Sequence, residues 1–191
     1  MGGVTIIKMD KTGHWVFGAD QTEVEEDSTW GINPFSFVHG FIAWGDGEVL
    51  AEKMTPVTEP LPELEAAPPG AKKGWESQIG LSVKCLTGTD AGLEARYVTT
   101  SVGGKRAIQE LGAKIATQVE QDETKPVPVV RLDSDHYKHK DYGKIYTPIL
   151  EVVDWVALDG APTPAVAAIA ETPAVEVSSQ GEEPVRRRRR V

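Results

Sequence analysis

The sequence predicts a mainly β protein with one helix, that is, the α+β fold class. Three observations support this prediction. Short apolar segments recur between clusters of Gly, Asp and Thr, which is typical of strands joined by turns. One longer segment repeats its apolar residues every three or four positions, as an amphipathic helix does. With 191 residues, 40% of them hydrophobic, the chain is long enough to bury a core.

The N-terminal part of the chain predicts two β-hairpins. Residues 4–9 and 14–17 are short apolar segments separated by a Lys-Thr-Gly turn, and we assign them to an N-terminal β extension over residues 1–34. Residues 35–44 form an aromatic and apolar run, and a strand resumes at residues 48–54 after a Gly-Asp-Gly turn. An Asp-Gly pair between two such runs is typical of a β-hairpin.

Two alternating segments follow a long loop. Residues 56–74 carry five prolines, which remove backbone donors and restrict their neighbours, so they predict a loop rather than a strand. Residues 77–86 and 93–100 then alternate apolar and polar side chains on either side of a Thr- and Gly-rich turn, as strands with one buried face do. Cys85 lies on the apolar side of this pattern, which predicts a buried thiol rather than a nucleophile.

The one predicted helix runs from about residue 105 to residue 121. Ser101 precedes it and is a favourable N-cap residue. Four apolar residues recur at three- and four-residue spacing and form one stripe along the helix. They are Ile108, Leu111, Ile115 and Val119.

Two further strands are predicted at residues 127–132 and 144–156. The second is apolar on both faces, which favours a central position in a sheet. From residue 35 the order is therefore strand, loop, two strands, helix, two strands. A five-stranded Greek-key barrel of the oligonucleotide/oligosaccharide-binding (OB) type has this order, with the helix between strands three and four. We therefore predict an OB-like domain over residues 35–157.

Residues 158–191 are predicted to form a tail. They are rich in Ala, Pro, Val and Glu and contain no aromatic residue. Such a segment cannot bury enough apolar area to offset the entropy of ordering it. We predict a disordered, acidic linker that ends in an arginine tip at residues 186–190.

The formal net charge of −9 argues at first against a nucleic-acid partner, but the charge is unevenly distributed. Residues 1–70 hold 3 basic and 12 acidic side chains, whereas residues 71–150 hold 12 basic and 10 acidic ones. Residues 151–180 hold no basic residue, and five arginines follow near the end of the chain. A nucleic-acid contact is therefore expected only in the middle of the chain and at the arginine tip.

The polar segment between the last two predicted strands, residues 133–143, is the best candidate for a binding site. It places lysines among tyrosines, and single-stranded nucleic acid is bound by cations that follow its phosphates and by rings that stack on its bases. In the predicted barrel this segment and the proline-rich loop are the two loops beside the ligand face. The alternative is a solvated, Lys-rich hairpin whose tyrosines pack at its base. The candidate binding residues are Lys72, Lys73, Trp75, Arg96, Tyr97, Lys105, Arg106, Tyr137, Lys138, Lys140, Tyr142, Lys144, Tyr146, Arg186, Arg187, Arg188, Arg189 and Arg190.

Other patterns do not reach a catalytic or cofactor motif. The Gly-Gly-Lys sequence at residues 103–105 lacks the earlier glycine and the following Ser or Thr of a Walker A loop. His136 and His139 have no second Cys/His pair to complete a zinc site. No paired nucleophile and base is recognisable. The sequence therefore predicts no enzyme, no metal and no cofactor.

Residues 74–155, which include SVGGKRAIQELGAKIATQV and DSDHYKHKDYGKIYTPILEVVDW, resemble small phage-encoded proteins of the single-stranded DNA-binding type. The resemblance implies an OB-like barrel, a role in replication or recombination of a DNA phage, and no catalysis. Single-stranded DNA-binding proteins of bacteria and phages commonly end in an acidic tail, whereas this chain ends in five arginines followed by a valine. That departure puts recruitment of partners by the tail in doubt.

Together these observations predict a non-catalytic protein that binds single-stranded DNA, with RNA as an open alternative. Expected protein partners are phage replication or recombination proteins, and the oligomeric state is left open, with a dimer as one option. The sequence has neither an apolar run of about 20 residues nor a signal-peptide pattern, so we expect no membrane contact and a cytoplasmic location, in the host cell if the chain is phage-encoded. The alternative is a structural or adaptor protein, a virion component or host-factor binder, with the aromatic run 35–44 at its interface.

Overall fold

A computed structural model describes residues 3–158, which form one ten-stranded sheet and one helix. The predicted mainly β, α+β class is confirmed. The elements are β1 (Ile6–Met9), β2 (Trp15–Phe17), β3 (Thr22–Glu23), β4 (Thr29–Ile32), β5 (Val38–Gly45), β6 (Glu48–Pro56), β7 (Trp75–Cys85), β8 (Glu94–Thr99), α1 (Val102–Gln121), β9 (Val127–His139) and β10 (Gly143–Val156). The predicted tail, with Arg186 to Arg190, lies outside the described residues except for Leu158.

The sheet forks at β7. Its main path runs β10-β9-β4-β7-β8-β1-β2-β3, and β5 and β6 form a branch. β7 is 11 residues long, so one of its edges takes two neighbours. β4 pairs beside residues 83–85 and β5 beside residues 75–80. This division lets consecutive strands of the chain enter two different arms of the sheet.

The predicted five-stranded barrel is not confirmed, because the sheet is open and has ten strands. Closure would need the outer edges of β8 and β10 to pair. The outer edge of β8 instead pairs in parallel with β1, through Ile6 beside Arg96 and Ile7 beside Tyr97. β10 ends the strand order, so its predicted central position is wrong. α1 packs against β10, whereas Ile149 and Val153 of this edge strand are exposed by 37% and 43%.

The helix follows its sequence pattern closely. The Ser101 hydroxyl accepts a hydrogen bond from the backbone N–H of Gly104 at 3.0 Å, which satisfies one of the donors that a helix start leaves free. Ile108, Leu111 and Ile115 are buried as predicted, but Val119 is 41% exposed, so the buried stripe ends one turn early. Within residues 3–158 no helix has the length and apolar character needed to cross a membrane.

The hydrophobic core includes strands from the N-terminal segment. Trp30 of β4 is fully buried, and its indole N–H donates to the Ser28 hydroxyl at 3.0 Å. Trp15 of β2 packs edge-on against the Tyr97 ring of β8, with 5.1 Å between ring centroids. Its indole N–H donates to the backbone carbonyl of Asp133 in β9 at 2.8 Å. β2 thus bridges the two sides of the open sheet.

Two glycines provide a matched test of the packing between β5 and β6. A Cβ added at Gly40 would overlap the backbone carbonyl oxygen of Lys53, whereas one added at Gly112 inside α1 meets only Phe37 at 3.8 Å. We expect Gly40→Ala to lower the free energy of unfolding by about 1–3 kcal/mol and Gly112→Ala to raise it by about 0.5–1 kcal/mol. Urea denaturation followed by circular dichroism measures both changes. Similar effects of the two substitutions would contradict the close strand approach at Gly40.

Candidate nucleic-acid interface

The segment predicted as a loop at residues 133–143 is a projecting β-ribbon. β9 and β10 stay paired as far as His139 and Gly143, so only residues 140–142 form the turn. Beyond Asp133 most of β9 is exposed, which places this end of the hairpin outside the core. The polar composition predicted a loop, but the alternation of long side chains and the glycine after the turn suit a strand pair in solvent. Residues 136–146 are called the ribbon tip below.

The strand register divides the ribbon tip into two faces, because directly opposed residues of an antiparallel pair share a face. Lys138 opposes Lys144, and His136 opposes Tyr146; these four residues define the lysine face. Tyr137 opposes Ile145 on the other side, which is called the tyrosine face.

The two opposed lysines have no ion-pair partner among residues 3–158. Like charges at directly opposed positions destabilise an antiparallel pair, yet Lys138 and Lys144 occupy such positions. Within residues 3–158, neither they nor Lys140 in the turn has an ion-pair partner. The ribbon tip contains three lysines and one acidic residue, Asp141. It therefore presents uncompensated positive charge where an anion can approach.

Aromatic rings surround these cations. Tyr142 in the turn is 79% exposed and Tyr137 is 50% exposed. The Nζ atom of Lys144 lies 5.0 Å from the centre of the Tyr146 ring, a cation–π distance. The ring of Tyr142 lies 4.9 Å from that of His139. The tip thus combines accessible rings and free ammonium groups within a few residues of each other.

The candidates near the proline-rich loop are engaged elsewhere. Lys72 pairs with Asp46 at 3.0 Å and Lys73 with Glu76 at 3.9 Å. The Trp75 indole N–H donates to the Glu65 carbonyl at 3.0 Å, and Lys53 lies over its ring at 5.9 Å. Trp75 therefore anchors the proline-rich loop to the sheet rather than offering a free stacking surface.

These residues also lie far from the ribbon tip along the strands. β9 pairs with β4 only through residues 129–131 and continues past Thr29, the first residue of β4. The turn between β5 and β6 extends in the opposite direction, beyond the last residue of β4. The register therefore places the two predicted ligand loops at opposite ends of the strands.

Of the two candidates on β8, one is buried and the other is ion-paired. Tyr97 is 4% exposed and packs against Trp15, and desolvation raises the pKa of its hydroxyl to about 12. Its predicted role in base stacking is therefore wrong, because the same alternation that makes β8 a strand turns this ring into the core. Arg96 forms an ion pair with Glu52 at 2.8 Å.

The helix entry adjoins the base of the ribbon. The Cα of Gly103 packs so closely on Thr147 that an added Cβ would lie 2.9 Å from its methyl group. Lys105 donates to the Ser77 hydroxyl at 2.7 Å, whereas exposed Arg106 has no ion-pair partner within residues 3–158. Of the two predicted phosphate contacts here, Arg106 is the better placed.

The N-terminal hairpin, which consists of β1, β2 and the turn between them, packs against the other side of the ribbon base. The sequence did not indicate this contact. Gly13 in its turn packs directly on the Tyr146 ring. The groove between this hairpin and the ribbon has a volume of about 580 Å³ and is lined by acidic residues. They include Glu25, Glu26, Asp27 and Asp133. The hydrogen bond from Trp15 to Asp133 joins residues 118 positions apart, so no local sequence pattern predicts it.

The single cysteine is buried as predicted. Cys85 is 1% exposed in β7, and burial raises the pKa of its thiol to about 11. Its sulfur contacts the backbone carbonyl of Thr87 at 3.1 Å. The thiol therefore stays protonated at neutral pH and serves as a small core side chain.

No protein-family model, curated protein or solved structure matches the chain. The resemblance of residues 74–155 to phage single-stranded DNA-binding proteins therefore stays a prediction.

Proposed function

We propose that the protein is a non-catalytic single-stranded DNA-binding protein and that the ribbon tip is its main contact with the ligand. The observation that supports this proposal most strongly is the opposed pair Lys138 and Lys144, which has no acidic partner within residues 3–158. A bound phosphate relieves the repulsion between the two ammonium groups. A role in phage replication or recombination and a cytoplasmic location belong to the same proposal.

The chemistry divides between charge and stacking. The lysines neutralise phosphates and release counterions, which supplies most of the affinity. The exposed ring of Tyr142 stacks on a base at about 1–3 kcal/mol, whereas Tyr146 is half-buried against Gly13. The acidic groove below the lysine face repels phosphates. The contacts of DNA with that face are therefore confined to the ribbon tip. The C-terminal arginines add contacts that do not depend on the ribbon.

The strand order is consistent with an open relative of the OB barrel. Taking β4 and β5 together as the first strand, the pairing order is β10-β9-β4-β7-β8, and α1 follows the third strand. The missing pairing between β8 and β10 is bridged by the N-terminal hairpin through Trp15 and Gly13. We infer that this hairpin serves as the closing element of the barrel.

Binding is tested by fluorescence anisotropy with a labelled oligo-dT and the full-length chain. Lys138, Lys140 and Lys144 together predict a slope of about −2 in log affinity against log salt, at roughly 0.7 per phosphate contact. The arginine tip steepens this slope, so a variant with residues 186–190 changed to Gln isolates the ribbon contribution. Absence of binding at low salt by both the unchanged protein and this variant would contradict the proposal.

A protein–protein function is the second candidate, since one specific observation favours it. At the turn between β5 and β6, Trp44 directly opposes Val49, and both are exposed by 40% or more. Leu50 beside them is 39% exposed. Exposed aromatic and aliphatic side chains that lie together are typical of contact surfaces. A partner that co-purifies after nuclease treatment and is lost on Trp44→Ala would favour this candidate.

A further inference from the structure

The proposed function uses the lysine face and leaves the tyrosine face of the ribbon unexplained. On that face Tyr137 is 50% exposed beside Ile145. The next opposed pair toward the core is Asp135 and Thr147. This pair lines a groove of about 310 Å³ against α1, together with Arg106. The tyrosine face thus continues into a groove of its own.

The two grooves below the ribbon differ in charge. On the lysine side the lining carries five carboxylates and, apart from His14, one cation, Arg131. On the tyrosine side Arg106 and Lys114 face three carboxylates, Glu110, Asp135 and Glu151, so the excess of carboxylates over cations is one there and four on the lysine side. Phosphates are therefore repelled less below the tyrosine face than below the lysine face. A DNA strand that runs from the ribbon tip along the tyrosine face can reach Arg106.

We propose that the ribbon lies between two separated DNA strands, so that the preferred ligand of the site is a junction of double-stranded and single-stranded DNA. This inference rests on the proposed function. The two faces point in opposite directions, so one straight strand contacts only one of them at a time. At a fork, one separated strand lies on Lys138 and Lys144, and the other lies on Tyr137 and reaches Arg106.

The ribbon tip has the dimensions and the side chains for this position. Four residue pairs separate the turn from the groove pair Asp135 and Thr147, which corresponds to roughly 13 Å at 3.3 Å per residue. A two-stranded ribbon is narrow enough to lie in a DNA groove about 12 Å wide. Tyr142 at its end is 79% exposed. The ring lies 4.9 Å from that of His139, and its exposed part can stack on the last base pair of a fork.

The test compares three labelled DNAs of equal total length by fluorescence anisotropy with the full-length chain. They are a single strand, a fork with two unpaired arms and a blunt duplex. We expect the fork to bind about 10-fold more tightly than the single strand. Tyr137→Ala and Arg106→Gln should each reduce binding to the fork at least 3-fold while changing binding to the single strand less than 2-fold. Tyr137→Phe keeps the ring and should behave like the unchanged protein.

The outcomes separate this inference from the function on which it rests. Equal affinity for fork and single strand, or equal weakening of both by Tyr137→Ala, would overturn the junction proposal and leave single-strand binding intact. Absence of binding to all three DNAs would overturn both. Because Tyr137 and Arg106 are exposed, circular dichroism spectra matching the unchanged chain are expected; if Tyr137→Ala alters the fold, Arg106→Gln decides the result.

Discussion

Replacing Lys138, Lys140 and Lys144 together by Gln is expected to weaken binding to single-stranded DNA roughly 100-fold at 0.1 M salt. Each lost phosphate contact changes affinity by about the salt concentration raised to the power 0.7, which is close to 5-fold per contact. The slope of log affinity against log salt should become shallower by about 2. The residues are exposed and lack ion-pair partners within residues 3–158, so the free energy of unfolding should change little. Titration of oligo-dT at several salt concentrations measures both quantities.

A variant with Lys72, Lys73 and Lys125 changed to Gln provides the matched control, because it removes the same net charge at other places. Two of these lysines already pair with carboxylates, and we expect less than a 3-fold loss of affinity. If both triple variants weaken binding equally, the affinity reflects overall charge and the ribbon tip is not the site.

Local patterns predicted most of the elements correctly because each depends on near neighbours in sequence. The alternation at residues 77–86 corresponds to β7, and the apolar spacing after Ser101 corresponds to α1. The short strand β4 escaped prediction. It contains Trp30 and Ile32, both fully buried, but four residues are too few to display a period. Short buried strands depend on their neighbours in the sheet, which a local pattern does not contain.

The sequence predicted which residue types the candidate site contains, but not that they lie on two faces of a β-ribbon. Lysines and tyrosines at residues 137–146 pointed to the segment that forms the ribbon tip, whereas the register that separates two faces depends on pairing between β9 and β10. Burial also excludes Tyr97 from the candidate site, and Lys72 and Arg96 form ion pairs with carboxylates. Their partners are Asp46, in the turn between β5 and β6, and Glu52 in β6. A cation in a sequence is therefore a candidate only until its acidic neighbours in space are known.

Replacement of Trp15 by Ala is expected to lower the free energy of unfolding by about 3–5 kcal/mol, the usual cost of truncating a buried tryptophan. Trp15 is 5% exposed, packs on Tyr97 and donates to Asp133. Since domains of this size are stable by only about 5–15 kcal/mol, the loss is large. Urea denaturation followed by circular dichroism measures it. Trp15→Phe keeps an apolar ring and loses the hydrogen bond, so it should retain most of the packing energy.

Trp44→Ala is the matched control for this experiment, because Trp44 is 40% exposed at the turn between β5 and β6. Its removal should cost no more than about 1 kcal/mol, as exposed positions usually do. The comparison also tests whether the N-terminal hairpin is integral to the sheet. If the hairpin were an independent extension, Trp15→Ala would leave the main unfolding transition unchanged. A single transition shifted to lower urea means instead that β2 and the ribbon base unfold together, because the bond from Trp15 to Asp133 joins the first strands of the chain to the last.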